Sequence, residues 1–349
     1  MMPSPIQSQY PWTSVPLIAN AAMGGFAGAS LATAVSLAGG IGFIGAVNDM
    51  EALSTQLEST TSTFEATTIK SPEGTSPLGV GFLLFAGKLE AAVDVISRHN
   101  PAIIWLACPR EADDFKLWTE AMRSASPRSR IWIQTTTVSS AVALAKSCSP
   151  DVLIMQGSDA GGHGPRPGAG VITLVPETRD ALDAAGYERI AVFASGGISE
   201  GRGVAAALAA GADGVVLGTR FLASQEITLP AQEYQDSILH AKDGGTSTVR
   251  GTVFDELKGT SVWPSQYDGR ALAGASYTEF EAGVGIEEIR EKFASAAAEP
   301  HKGFGGDQRA AIWAGSGVGL INKVMSAAAI VEELQDGARQ ALGLASKNI

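Results

Sequence analysis

The chain has 349 residues, 45% of them hydrophobic and 17% charged, with 25 basic against 36 acidic side chains and a net charge of −11. That composition supplies a sizeable core and excludes wholesale disorder, and the acidic balance argues against nonspecific binding to nucleic acid or acidic membranes. Two cysteines, Cys108 and Cys148, form no CxxC and have no histidine cluster beside them, so a zinc site is disfavoured and two buried thiols are expected.

From Pro16 onward, short apolar runs ending in small or polar residues alternate with Ala-rich amphipathic stretches. In chain order the runs predict strands at Leu17–Met23, Ile41–Ala46, Leu78–Phe85, Ile103–Ala107, Ile131–Thr135, Val152–Gln156, Ile190–Ser195 and Val215–Phe221. Between them, helices are expected at Ala29–Ala38, Leu89–Arg98, Asp113–Ser124, Ser140–Lys146, Glu177–Ala185 and Gly203–Ala210. Repeated strand–helix units imply a parallel sheet, because a right-handed crossover needs an element between neighbouring strands. Eight units in succession fit a (β/α)8 TIM barrel better than a doubly wound sheet.

After Phe221 the rhythm stops. Residues 223–308 are richer in charge, Gly and Thr, and are expected to form a smaller inserted or capping segment. Helical character returns at Ile312–Met325 and Ala327–Ala345, so residues 1–222 and 309–349 together would build the barrel. No stretch reaches the roughly 18–20 apolar residues that cross a bilayer, so no membrane association is expected. Met1–Trp12 lacks a basic region followed by an apolar core, which makes the cytoplasm the default location.

Active sites of such barrels lie at the C-terminal ends of the strands, and the unusual residues of this chain collect there. Strand one ends in Asn20-Ala21-Ala22-Met23-Gly24-Gly25, strand five in Gln134-Thr135-Thr136 and strand six at Gln156. Next comes Gly157-Ser158-Asp159-Ala160-Gly161-Gly162-His163-Gly164, in which five of eight residues have no side chain or only a methyl group. Bare backbone allows close approach of a ligand, and a lone imidazole there suits proton transfer near neutral pH. Strand seven ends in Ser195-Gly196-Gly197-Ile198 and strand eight runs into Gly218-Thr219-Arg220. Loops after strands seven and eight form the usual phosphate site of these barrels. Arg220 would either flank that phosphate or point outward to an ion pair. The other histidines, His99, His240 and His301, are expected to be structural or on the surface. No dinucleotide fingerprint follows the first strand and no P-loop occurs.

These residues resemble the nitronate monooxygenase family, formerly 2-nitropropane dioxygenases, across Pro16–Phe221 and again at Trp313–Leu320. The most specific element is Asp159-Ala160-Gly161-Gly162-His163-Gly164. The resemblance implies an FMN-dependent barrel that oxidises alkyl nitronates, and some nitroalkanes, with O2 to a carbonyl compound and nitrite, without external NAD(P)H. It would lay Ala22, Met23 and Gly24 along the flavin, with Gly162 in the histidine loop beside it. Gln134 and Gln156 would reach the ribityl chain or ring edge. Ser195, Gly196, Gly197, Gly218 and Thr219 would hold the phosphate, and His163 would face the substrate as base or charge partner. Two residues depart from the family: Ala22 replaces a Pro before Met23, and Gly81 stands where many members have a flavin-contacting Asn. The alternative on the same barrel is an NAD(P)H-dependent flavin reductase of the enoyl-ACP reductase type. A flavin-free aldolase or isomerase and a binding protein without turnover are more distant rivals. The oligomeric state stays open, with a homodimer as one option.

Overall fold

All eight apolar runs form strands, and together they close a parallel barrel. The computed structural model describes residues 6–69, 71 and 74–348. Numbered along the chain, the barrel strands are β1 (Leu17–Asn20), β2 (Phe43–Gly45), β3 (Ser76–Leu83), β4 (Pro101–Ala107), β5 (Arg130–Thr135), β6 (Val152–Gln156), β8 (Ala191–Ser195) and β9 (Gly214–Leu217). β7 (Gly162–Pro165) lies outside the barrel. Around the barrel the order is β1-β9-β8-β6-β5-β4-β3-β2, and a parallel bridge between Ala19 and Ile41 joins the two ends. Asn20, fully buried, reinforces that seam: its Nδ2 donates to the Phe43 carbonyl at 2.9 Å and its Oδ1 accepts from the Phe43 N–H at 2.9 Å.

Alternation along each strand divides the core into two layers. On β4, Ile104 and Leu106 pack outward with the helices, while Ile103 and Trp105 fill the interior. The interior is aromatic, with Trp132 against Phe193 at 4.5 Å and against Phe43 at 5.2 Å between ring centroids. Room for those rings comes from opposite positions: a Cβ at Gly79 would overlap Phe43, and one at Gly214 would overlap Phe193. Beneath this layer, Ile6, Tyr10 and Trp12 of the N-terminal segment close the barrel floor, and Trp132 Nε1 donates to Tyr10 Oη at 2.8 Å.

Helices fill each crossover at Ala29–Leu37, Met50–Glu65, Leu89–His99, Asp114–Ala125, Val138–Cys148, Val171–Ala184 and Gly201–Ala209. Side-chain caps start several of them: Asp49 accepts from the Ala52 N–H at 2.9 Å, and Thr137 and Glu200 cap their own helices. Helix Ala327–Ala345 packs across Gly201–Ala209.

Four expectations need correction. Strand one ends at Asn20, not Met23, because Met23 turns inward into a bend whose carbonyl accepts from the N–H groups of Phe26 and Ala27. Strand eight ends at Leu217, and Thr219–Leu222 forms a helical turn; an apolar run alone does not separate the two conformations. Ile312–Met325 is not an α-helix: three glycines, Gly315, Gly317 and Gly319, leave only the 3-10 turn Ser316–Leu320. Residues 223–308 are more regular than their composition suggests. They hold helices Gln232–His240, Ala275–Glu281 and Ile286–Ala297, two short helical turns at Gly244–Ser247 and Val253–Glu256, and β10 (Thr248–Gly251) and β11 (Tyr267–Leu272).

β7 binds the two regions of the chain together. It pairs antiparallel with β11, which pairs with β10, so His163 stands in register with Gly269.

Candidate active site

The twelve strand-end residues assigned to flavin or substrate border one cavity of about 340 Å³ in the mouth of the barrel, whereas Asn20, Gly25, Thr135, Thr136, Asp159 and Arg220 do not. Ala22, Met23 and Gly24 enter from β1, Gln134 from β5, Gln156 from β6, Gly162 and His163 from β7, and Ser195, Gly196, Gly197, Gly218 and Thr219 from the ends of β8 and β9.

The glutamines form a relay along the wall. Gln134 Nε2 donates to Gln156 Oε1 at 2.9 Å, and Gln156 Nε2 donates to the His163 carbonyl at 3.1 Å. A Cβ at residue 164 would come within 2.7 Å of that Gln156 oxygen, so Gly164 keeps the relay in place.

The end at β8 and β9 is lined by bare backbone and hydroxyls. Gly196 and Gly197 have φ of +109° and +72°, a left-handed turn that glycine adopts without strain. The helix Gly201–Ala209 follows directly. Thr219 opens its own turn, and its hydroxyl accepts from the Gly315 N–H at 3.0 Å, which leaves the hydroxyl proton to donate. The Cβ direction at Gly197 leads to the Asp159 side chain, 2.9 Å from its Cβ.

Arg220 takes neither expected position. It is 3% exposed and does not border the cavity; it donates to the Lys323 carbonyl at 3.4 Å and contacts Met325 Sδ at 2.9 Å. Burial depresses its pKa, so it braces the 323–325 connector from inside.

At the opposite end, His163 is held by three residues. Its Nε2 lies 2.7 Å from Asp255 Oδ1, its ring stacks on Trp263 at 3.7 Å and 10°, and Trp313 leans against it at 4.5 Å and 53°. Asp255 and Trp263 come from residues 223–308, and nothing local in the sequence marks either. Trp313 opens a glycine-rich run that resembles the family, which was the signal available for it.

Three titratable side chains border the cavity among the described residues: His163, Cys108 and Tyr234. Burial pushes the Cys108 thiol up to about 12 and raises the Tyr234 phenol as well. Tyr234 is also engaged on both sides of Trp313, accepting from its N–H at 2.8 Å and donating to its carbonyl at 3.3 Å. His163 is the one imidazole among them. Both cysteines are free and buried, as expected, although Cys108 also borders the cavity. His99 binds Ser54 Oγ at 2.8 Å, His240 donates to the Asp236 carbonyl at 2.7 Å, and His301 accepts from the Gly303 N–H at 3.1 Å; none borders the cavity.

Gly81 is tightly coupled to Ala22: a Cβ at residue 81 would overlap the Ala22 methyl. The two departures from the family thus face each other. Beside them Trp105 borders the cavity, and its buried Nε1 has no hydrogen-bond partner among the described residues.

A closed parallel barrel with a cavity across its C-terminal strand ends, glycine-rich turns after β8 and β9, and one imidazole in the lining among the described residues defines a barrel enzyme of small-molecule chemistry. Residues 119–337 match the family described as nitronate monooxygenase. The chain is 42% identical to the nitronate monooxygenase npaC of Metarhizium robertsii, over 95% of this chain and 93% of that protein. In fold it is similar to FabK from Thermotoga maritima, with a TM-score of 0.75 and 22% identity over the full length of both chains. It is likewise similar to the nitroalkane oxidase of Streptomyces ansochromogenes, with a TM-score of 0.73 and 23% identity over 98% of this chain and 99% of that one. The chain belongs to the nitronate monooxygenase family of flavin-dependent oxidoreductases.

Proposed function

We propose that this chain binds FMN in the barrel cavity and oxidises alkyl nitronates, and some neutral nitroalkanes, with O2 to a carbonyl compound and nitrite, needing no external NAD(P)H. The observation that carries the reading is a cavity lined by the left-handed glycine turn Gly196–Gly197 and by His163, the one imidazole in its lining among the described residues.

The lining fits the cofactor. Ser195, the N–H groups of Gly196 and Gly197, Gly218 and the Thr219 hydroxyl would hold the phosphate. Gln134 and Gln156 supply amides for a polyol chain. Ala22, Met23 and Gly24 leave a flat, apolar wall for a ring, and Gly162, with no atom within 4 Å of its Cβ direction, leaves open space over it. When bound, FMN would supply the electron acceptance and the reactivity with O2.

The chain's own residues orient and exchange protons. His163 takes the α-proton of a neutral nitroalkane, or as its cation binds the anionic nitronate. Trp263, Trp313 and Phe26 wall that end and exclude water. Residues 223–308 act as a cap that brings Trp263 to the histidine, while residues 1–222 and 309–349 form the barrel body. A cytoplasmic location and a homodimer complete the reading, checked by fractionation and light scattering.

The direct test measures oxygen uptake and nitrite release by the yellow purified protein with propionate-3-nitronate and no nicotinamide. Stoichiometric nitrite supports the reading. Oxygen uptake that depends on NADH points to the reductase alternative instead.

A further inference from the structure

Asp255 sits in the turn Val253–Glu256 with its side chain 8% exposed, in the region of the chain with no sequence signature. Among the described residues its side chain has one hydrogen-bond partner, His163, whose side chain is 12% exposed. A carboxylate this deeply buried is costly unless it is paired and hydrogen-bonded. A carboxylate also only accepts, so the proton between Oδ1 and Nε2 belongs to the imidazole.

Two constraints then act on one ring. Trp263, stacked at 3.7 Å and 10°, fixes its plane, and Asp255 fixes its tautomer. With hydrogen on Nε2, the lone pair of the neutral ring lies on Nδ1, which has no hydrogen-bond partner among the described residues. We infer that Asp255 is the positioning residue of this site, holding His163 as the Nε2–H tautomer so that Nδ1 is the atom that accepts the proton of a neutral nitroalkane.

This deepens the proposed reading and rests on it. In the step, the α-C–H bond breaks and Nδ1–H forms. The released electron pair becomes the C=N bond of the nitronate, and the negative charge moves to the nitro oxygens. The imidazolium so formed stays hydrogen-bonded through Nε2 to Asp255, whose charge offsets it. In serine-protease triads an aspartate holds the histidine tautomer in the same manner.

Asp255→Asn separates this role from bulk or folding. An asparagine amide turned toward Nε2 donates, which favours hydrogen on Nδ1 and removes the accepting lone pair. With 15N-histidine label in the protein as purified, long-range 1H–15N correlation is expected to show the Nε2–H pattern for His163 in the parent and a shift toward Nδ1–H in the variant. Turnover of nitroethane is expected to fall about a hundredfold or more, by a clearly larger factor than turnover of preformed ethyl nitronate, which loses only the charge support of the imidazolium, while the flavin content stays within about twofold. Asp255→Glu, which restores a carboxylate, is expected to recover part of the nitroethane rate. An Nδ1–H pattern in the parent overturns the inference without reference to any activity. An equal loss on both substrates overturns it too, because that is the mark of a structural role. If the parent protein oxidises neither substrate, the proposed function fails while the tautomer reading stands on the spectrum alone.

Discussion

The indole of Trp263 lies flat on the imidazole of His163, ring centroids 3.7 Å apart and planes 10° from parallel. The two residues are a hundred positions apart in sequence. β7 and β11 bring them together by pairing His163 opposite Gly269, whose lack of a Cβ makes room for Trp313 at the same histidine. His163 is therefore positioned largely by side chains from outside the barrel strands.

Replacing His163 by Asn tests what that imidazole does. The change keeps a polar side chain of similar reach and removes the proton acceptor. Turnover of neutral nitroalkanes is expected to drop about a hundredfold or more, in the range that a general base contributes, with flavin content nearly unchanged. Steady-state kinetics and the flavin-to-protein ratio check it. Parallel loss of flavin would instead make His163 a brace for the loop.

Gly197→Val should empty the site by a route the sequence did not reveal. The position has φ +72°, costly for a β-branched residue, and its Cβ would meet the Asp159 side chain at 2.9 Å. A left-handed conformation costs a non-glycine residue about 1–2 kcal/mol before any clash. The 157–161 loop and the 196–197 turn would be pushed apart, spoiling the donor geometry below. Flavin occupancy measured after gel filtration should fall severalfold, and full occupancy would show that the phosphate lies elsewhere.

The Gly81–Ala22 pair predicts a compensating change. Gly81→Asn alone should displace Ala22 and weaken flavin retention, because its Cβ would overlap the Ala22 methyl. Adding Ala22→Gly should recover retention, with a coupling above about 0.5 kcal/mol in a double-mutant cycle on flavin affinity. Additive effects would mean that the two positions do not touch.

Tyr10→Phe probes the barrel floor without touching the cavity. It leaves the fully buried Trp132 Nε1–H without its acceptor at 2.8 Å. An orphaned buried donor costs about 1–3 kcal/mol, which urea denaturation resolves. Flavin content should stay the same, and an unchanged midpoint would show that the indole finds another partner.

The barrel was legible because its strands are buried on both faces and read as unbroken apolar runs, such as Ile103–Ala107 and Val152–Gln156. The strand-end residues were legible because glycine pairs and lone amides interrupt those runs at regular places. Asp255 and Trp263 were not, since each acquires meaning only through the β7–β11 pairing, a contact between distant segments. Arg220 was misplaced for a related reason: strand periodicity was extended through Thr219–Phe221, where the chain already coils and turns the guanidinium toward Lys323. At Ile312–Met325 the apolar spacing mimicked a helix, while Gly315 and Gly317 pack closely on the 157–161 and 196–197 turns and Gly319 on Lys242–Asp243.

The central claim is that nitronate, not a nicotinamide, delivers electrons to a flavin in this cavity. Anaerobic titration of the purified protein, followed in its visible spectrum, tests it most directly. Ethyl nitronate should reduce the flavin bands and NADH or NADPH should leave them unchanged over the same interval. Bleaching by NADH with no response to nitronate, or a protein with no flavin bands at all, would contradict the account.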